Sequence, residues 1–92
     1  MRESQIERRL VQRCEESGFR CLKLVGVNVI GFPDRTIIGP GATIFFVEVK
    51  TETGVLSSLQ LRWQHVLENY GFEYFVVRSV SDVEHLMGVV AP

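Results

Sequence analysis

Long apolar runs are missing from this chain. None approaches the ~18 residues that a membrane-crossing helix needs, so no membrane role is expected. Cysteine is scarce: Cys14 and Cys21 are the only two in 92 residues. Two thiols cannot staple a disulfide scaffold, and these lack zinc-ligand spacing, so they read as small buried apolar groups in a reducing compartment. A surplus of charge is lacking as well. Ten Lys and Arg residues against 11 Asp and Glu leave a formal net charge of −1. Bulk electrostatics therefore announces no polyanion partner, and only local placement of basic residues can supply one. The opening stretch MRESQIERR is charged where an export signal would be apolar, so a cytoplasmic location is expected. Repeats, low-complexity tracts and linkers are absent. What remains is ordinary globular composition, 46% hydrophobic and 23% charged. That excludes a disordered chain, a collagen repeat and a coiled coil, and leaves one domain over residues 1–92 with one modest core.

The hydrophobic pattern predicts the order α-β-β-β-α-β-α. Ile6, Leu10 and Cys14 recur at helical spacing within Glu3 to Ser17, and Gly18 stands where a helix stops. Arg20 to Val25 reads as a short strand, followed by a loop around Gly26, Asn28 and Gly31. Asp34 to Ile38 is a second strand, Gly39 to Gly41 a turn, and Thr43 to Lys50 the clearest strand of the chain. Ser57 opens a second helix to Tyr70, with Leu59, Trp63, Val66, Leu67 and Tyr70 along one face. Glu73 to Arg78 is a last strand, and Ser81 to Met87 a last helix with Ser81 and Glu84 at capping-box spacing. The simplest packing is an α/β (α+β) arrangement, a central mixed sheet flanked by helices on both faces.

The polar residues of Thr43 to Lys50 carry the chemistry. Side chains alternate across a strand, so Ile44, Phe46, Glu48 and Lys50 share one face and Phe45, Val47 and Val49 the other. A carboxylate and an amine thus end a greasy strand ~6–7 Å apart on one side. Alone, the pair reads as a strand surfacing into water. Asp34 changes the weighing, because the Gly39–Gly41 turn folds its strand back antiparallel and sets Asp34 beside Glu48 or Lys50. Adjacent carboxylates repel unless a cation neutralises them, and few hard oxygen ligands suit Mg²⁺ or Mn²⁺. With an amine alongside to orient a water, this is a layout for metal-assisted phosphodiester hydrolysis.

Gly31-Phe32-Pro33-Asp34, then Phe46-Val47-Glu48-Val49-Lys50, then Leu56-Ser57 and Gln60 resembles the PD-(D/E)XK nuclease superfamily. The likeness is to its VRR-NUC branch in the small stand-alone form of phages and bacteria, and it covers essentially the whole chain. The resemblance implies a restriction-endonuclease-like fold and a DNA endonuclease. It implies that Asp34, Glu48 and the Val49 carbonyl hold the metal, while Lys50 assists the attacking water. Gln60 matches a glutamine near the metal site of that family, although its spacing from Ser57 also suits a capping box. Glu7 matches a first-helix glutamate that faces the site and reaches the metal directly or through water. Its alternative is a solvated ion pair.

Five of the ten basic residues, Arg2, Arg8, Arg9, Arg13 and Arg20, lie in or beside the first helix. Arg8 or Arg9 can offer a phosphate contact, Lys23 and Arg62 flank the site in sequence, and Arg35 directly follows the metal aspartate. His65 and His85 form no motif and read as surface, and Trp63 reads as core. The reading is a Mg²⁺- or Mn²⁺-dependent, Holliday-junction-resolvase-like endonuclease with no small-molecule cofactor. A homodimer acting on branched DNA is expected, because a chain this small has little surface to grip a duplex alone. Two rivals stand beside it: a non-catalytic DNA- or protein-binding domain on the same fold, and a small homodimeric scaffold.

Overall fold

The computed structural model describes residues 1–24 and 29–92. The expected loop residues Gly26 and Asn28, and the expected end of the first strand at Val25, lie outside the described residues. Helix α1 (Glu3–Glu16) is followed by β1 (Arg20–Leu22), β2 (Arg35–Gly39), β3 (Thr43–Val49), α2 (Ser58–Asn69), β4 (Glu73–Val77) and α3 (Val80–Val90). The expected order of elements holds. The strands form one mixed sheet in the order β1-β2-β3-β4, antiparallel except for the parallel β3–β4 pair.

Alternation along β3 divides the core in two. Phe45, Val47 and Val49 join Ile37 and Val77 against Ile6, Leu10 and Cys14 of α1 and Val83, Leu86 and Met87 of α3. Ile6, Leu10 and Cys14 are wholly buried, and fully burying an aliphatic side chain stabilises by ~1.5–3 kcal/mol. Phe46 points the other way, where Leu67 of α2 and Tyr74 of β4 cover it with Phe32, Trp63 and Val76 at the margin. Helix α1 stops because Gly18 adopts φ +78, which lets the Phe19 amide donate to the Cys14 carbonyl and the Gly18 amide to that of Glu15.

Four expectations about element limits need correcting. Strand β1 ends at Leu22, so Lys23 and Leu24 are not in it. Helix α2 rests mainly on β4, which leaves Leu59 and Tyr70 of its supposed apolar face exposed. The last helix is capped by Ser79, whose hydroxyl accepts from the Asp82 amide, and not by Ser81 with Glu84. The same helix runs past its expected end at Met87 to Val90, because the exposed Gly88 costs only ~1 kcal/mol within a helix.

Candidate active site

Strand register builds the centre of the site. Arg35 pairs with Val47, so Asp34, one residue earlier on the antiparallel strand, stands opposite Glu48. Strand β2 begins only at Arg35, and the Val49 amide lies beyond the ladder. It donates instead to Asp34 Oδ2 at 2.7 Å. The amide and carbonyl of one strand residue project to the same side, which turns the Val49 carbonyl toward Asp34 as well.

Glu48 is 2% exposed, on the sheet face that α2 covers. Its Oε2 accepts from Gln60 Nε2 at 3.0 Å, and its Oε1 has no partner. Burial, and then the charge of Asp34 beside it, push the Glu48 carboxyl up to about 8, with Lys50 opposing the shift. The same two carboxylates, after burial, push the partnerless Tyr74 hydroxyl upward. A buried carboxylate oxygen without a donor, beside a second carboxylate, is a place a cation would stabilise. Two carboxylates and one carbonyl are hard oxygen donors that fit Mg²⁺ or Mn²⁺.

Gln60 serves two neighbours at once. Its Oε1 accepts from the Ser57 amide at 2.8 Å, its own amide donates to the Ser57 hydroxyl, and Nε2 remains for Glu48. The capping box thus aims the amide group at the carboxylate. The loop carrying Asp34 is pressed on the start of the same helix. Gly31 has φ +85, and a Cβ there would lie 2.7 Å from that of Leu59. Trp63 Nε1 donates to the Ile30 carbonyl at 3.1 Å, and Phe32 packs edge-on against both Trp63 and Phe46. Trp63, half-buried, therefore fixes the approach of the Asp34 loop in addition to its place in the core.

The remaining expected residues sit elsewhere. Arg35 follows Asp34 in the chain, but alternation turns it to the α1 side, where Nε donates to Glu7 Oε2 at 2.7 Å and Nη1 reaches the Cys21 carbonyl. Lys23 Nζ approaches the same Glu7 oxygen at 3.7 Å. Glu7 is thus held by two cations, and among the described residues no three acidic, His or Cys side chains gather around a metal position. Glu7, Arg8, Lys23 and Arg35 line an open groove of about 490 Å³ along α1. Arg9 is not on offer to phosphate: with Arg13 it forks onto Glu84 of α3 at 3.0–3.1 Å. Arg62 and His65 are exposed on α2, and His85 is exposed on α3.

Arg78 escaped the sequence reading. Its Nη1 donates to the carbonyls of Thr51 and Gly54, just after Lys50. No local pattern could have signalled contacts to residues more than 20 positions away.

A family model described as the VRR-NUC domain matches residues 1–81. A solved structure titled "VRR_NUC domain" superposes with a TM-score of 0.87 at 32% sequence identity, the match covering 94% of each chain. No curated protein matches the chain.

Proposed function

The chain belongs to the VRR-NUC family, a nuclease-type domain family, and on that premise we propose that it is a metal-dependent DNA endonuclease. The observation that carries the reading is the Asp34–Glu48 pair, with Glu48 buried and one of its oxygens unpartnered. Asp34, Glu48 and the Val49 carbonyl would hold Mg²⁺ or Mn²⁺. When bound, such an ion neutralises phosphate charge and makes a water acidic enough to act as nucleophile at neutral pH.

The protein's own groups do the rest. The Val49 amide holds Asp34 by its Oδ2 and so fixes the carboxylate beside Glu48. Gln60 occupies Oε2 of Glu48 and leaves Oε1 without a partner. Lys50, on the same strand face as Glu48, orients the attacking water and balances charge on the phosphate. Positioning and charge stabilisation of this kind supply most of the rate in phosphoryl chemistry.

DNA would run from this pair to the groove along α1, where Arg8, Lys23 and Arg35 meet its backbone. Glu7 then acts as a placeholder: phosphate oxygens compete with its carboxylate for Arg35 and Lys23. A role for Glu7 at the metal would require it to leave both cations. Arg62 adds an exposed contact on α2. Single-domain action over residues 1–92 in the cytoplasm, as a homodimer on branched DNA, completes the reading. Two copies double a small footprint toward the ~1,000–2,500 Å² typical of specific DNA interfaces.

The test is cleavage of junction, flap and linear duplex DNA at fixed salt, in Mg²⁺, Mn²⁺ or EDTA, with light scattering for mass. Wild type should cut in either ion, and Asp34→Ala and Glu48→Ala should not, while both still fold. Cutting in EDTA, or full activity of either variant, would overturn the assignment. Equal cutting of all three substrates would refute the branched-DNA preference, and a monomer that cuts would refute the dimer.

A further inference from the structure

We infer that Arg78 is a positioning residue that fixes the backbone on which Lys50 stands. The inference rests on reading Asp34, Glu48 and Lys50 as the nuclease site. Lys50 directly follows β3, and its amide donates to the Val77 carbonyl at 3.0 Å, which brings it beside the end of β4. Arg78 directly follows Val77, the last residue of β4. Its Nη1 places its two protons on the carbonyls of Thr51 (2.9 Å) and Gly54 (2.6 Å).

Those carbonyls bracket a tight turn, in which the Gly54 amide donates back to the Thr51 carbonyl at 3.2 Å. The turn lies on the lysine itself, since a Cβ on Gly54 would come within 3.4 Å of Lys50 Cδ. Residues 50–57 are outside any helix or strand, and Glu52, Thr53 and Val55 are exposed. Little else therefore holds the turn against the stem of the lysine. The same segment leads into Ser57 and Gln60, the partner of Glu48. One guanidinium thus steadies the chain between the amine and the amide that flank the buried carboxylate.

Arg78 is itself held in place. Its backbone amide donates to Asp82 Oδ2 at 2.8 Å, and the Asp82 amide donates to the Ser79 hydroxyl. Hydrogen bonds from a charged donor are about twice as strong as neutral ones, and the planar fork of arginine suits two acceptors in a fixed geometry. With both Nη1 protons on the backbone carbonyls of the turn, Arg78 acts on the reaction through Lys50.

The experiment compares wild type with Arg78→Ala by cleavage kinetics and amide hydrogen exchange. Misplacement of a reacting group by ~1 Å costs on the order of 100-fold. The expected result is a kcat lowered ~10–100-fold with KM and the Mg²⁺ dependence unchanged. Millimolar guanidinium should restore part of kcat, and methylammonium less. Exchange at the Lys50 and Gly54 amides should quicken while that of α1 stays as in wild type. A kcat equal to wild type in a variant whose turn exchanges faster would overturn the inference. So would a loss of kcat matched by an equal loss of metal affinity. If Arg78→Ala does not fold, Arg78→Lys takes its place: faster Gly54 exchange with lowered kcat supports the clamp, and unchanged exchange refutes it. Failure of wild type to cut any DNA would instead strike the nuclease reading. The exchange at Lys50 and Gly54 would still decide the clamp.

Discussion

Raising the pH of the metal-free protein should lower its melting temperature, and Glu48 should be the cause. The carboxyl ordinarily titrates near 4.5, and in the fold it is pushed up to about 8 by burial and then by Asp34. A group that holds its proton more tightly when folded imposes no penalty below its unfolded pKa. Stability then falls as pH rises from 4.5 toward about 8, and levels off above that. Each pH unit in the window costs about 1.4 kcal/mol, so the full loss is on the order of a few kcal/mol. For a domain of this size ~1 kcal/mol moves the melting temperature by ~4–8 °C, so a fall of ~10 °C or more is expected. Thermal melts in EDTA at several pH values, with Glu48→Gln alongside, check it. The variant should be flatter through this window, and Mn²⁺ or Mg²⁺ should raise the wild-type melting temperature most at the alkaline end. A wild-type curve no steeper than that of Glu48→Gln would refute the reasoning.

Lys50→Ala should lose turnover but keep metal affinity by calorimetry, and a loss of affinity would make the lysine a structural group. Ca²⁺ should support DNA binding with little cutting, because it accepts looser coordination and activates water less well; brisk Ca²⁺ cleavage would contradict the mechanism. Gly31→Ala should destabilise by ~1–3 kcal/mol in denaturant melts, since its φ is +85 and the new Cβ would lie 2.7 Å from that of Leu59. A neutral effect would mean that the Asp34 loop is not pinned to α2.

The features legible in the sequence were those set by local period. The stripe Ile6, Leu10, Cys14 named the buried face of α1, and the alternation of β3 put Glu48 and Phe46 on one side. The hairpin turn sufficed to place Asp34 opposite Glu48. What stayed hidden depended on partners far along the chain. Ser79 with Asp82 and Ser81 with Glu84 have identical spacing, and only the arginines of α1, more than 70 residues away, claim Glu84 for another purpose. Arg35 looked like a neighbour of the site because it follows Asp34, yet successive strand residues face opposite ways, so it joins Glu7. Leu59 and Tyr70 fit an apolar stripe, but a helix resting mainly on β4 covers less of the sheet than the stripe assumed.

The fork of Arg9 and Arg13 onto Glu84 has a consequence for the timing of assembly. It joins α1 to α3, which is synthesised well after it, across 71 and 75 residues. The core beneath it is shared the same way, with Ile6 and Leu10 packed among Val83, Leu86 and Met87. Contacts so far apart in sequence form late and slowly. A nascent chain therefore carries Asp34, Glu48 and Lys50 well before it has the layer that stiffens the strands bearing them. Competence arrives in one step, when α3 closes over α1.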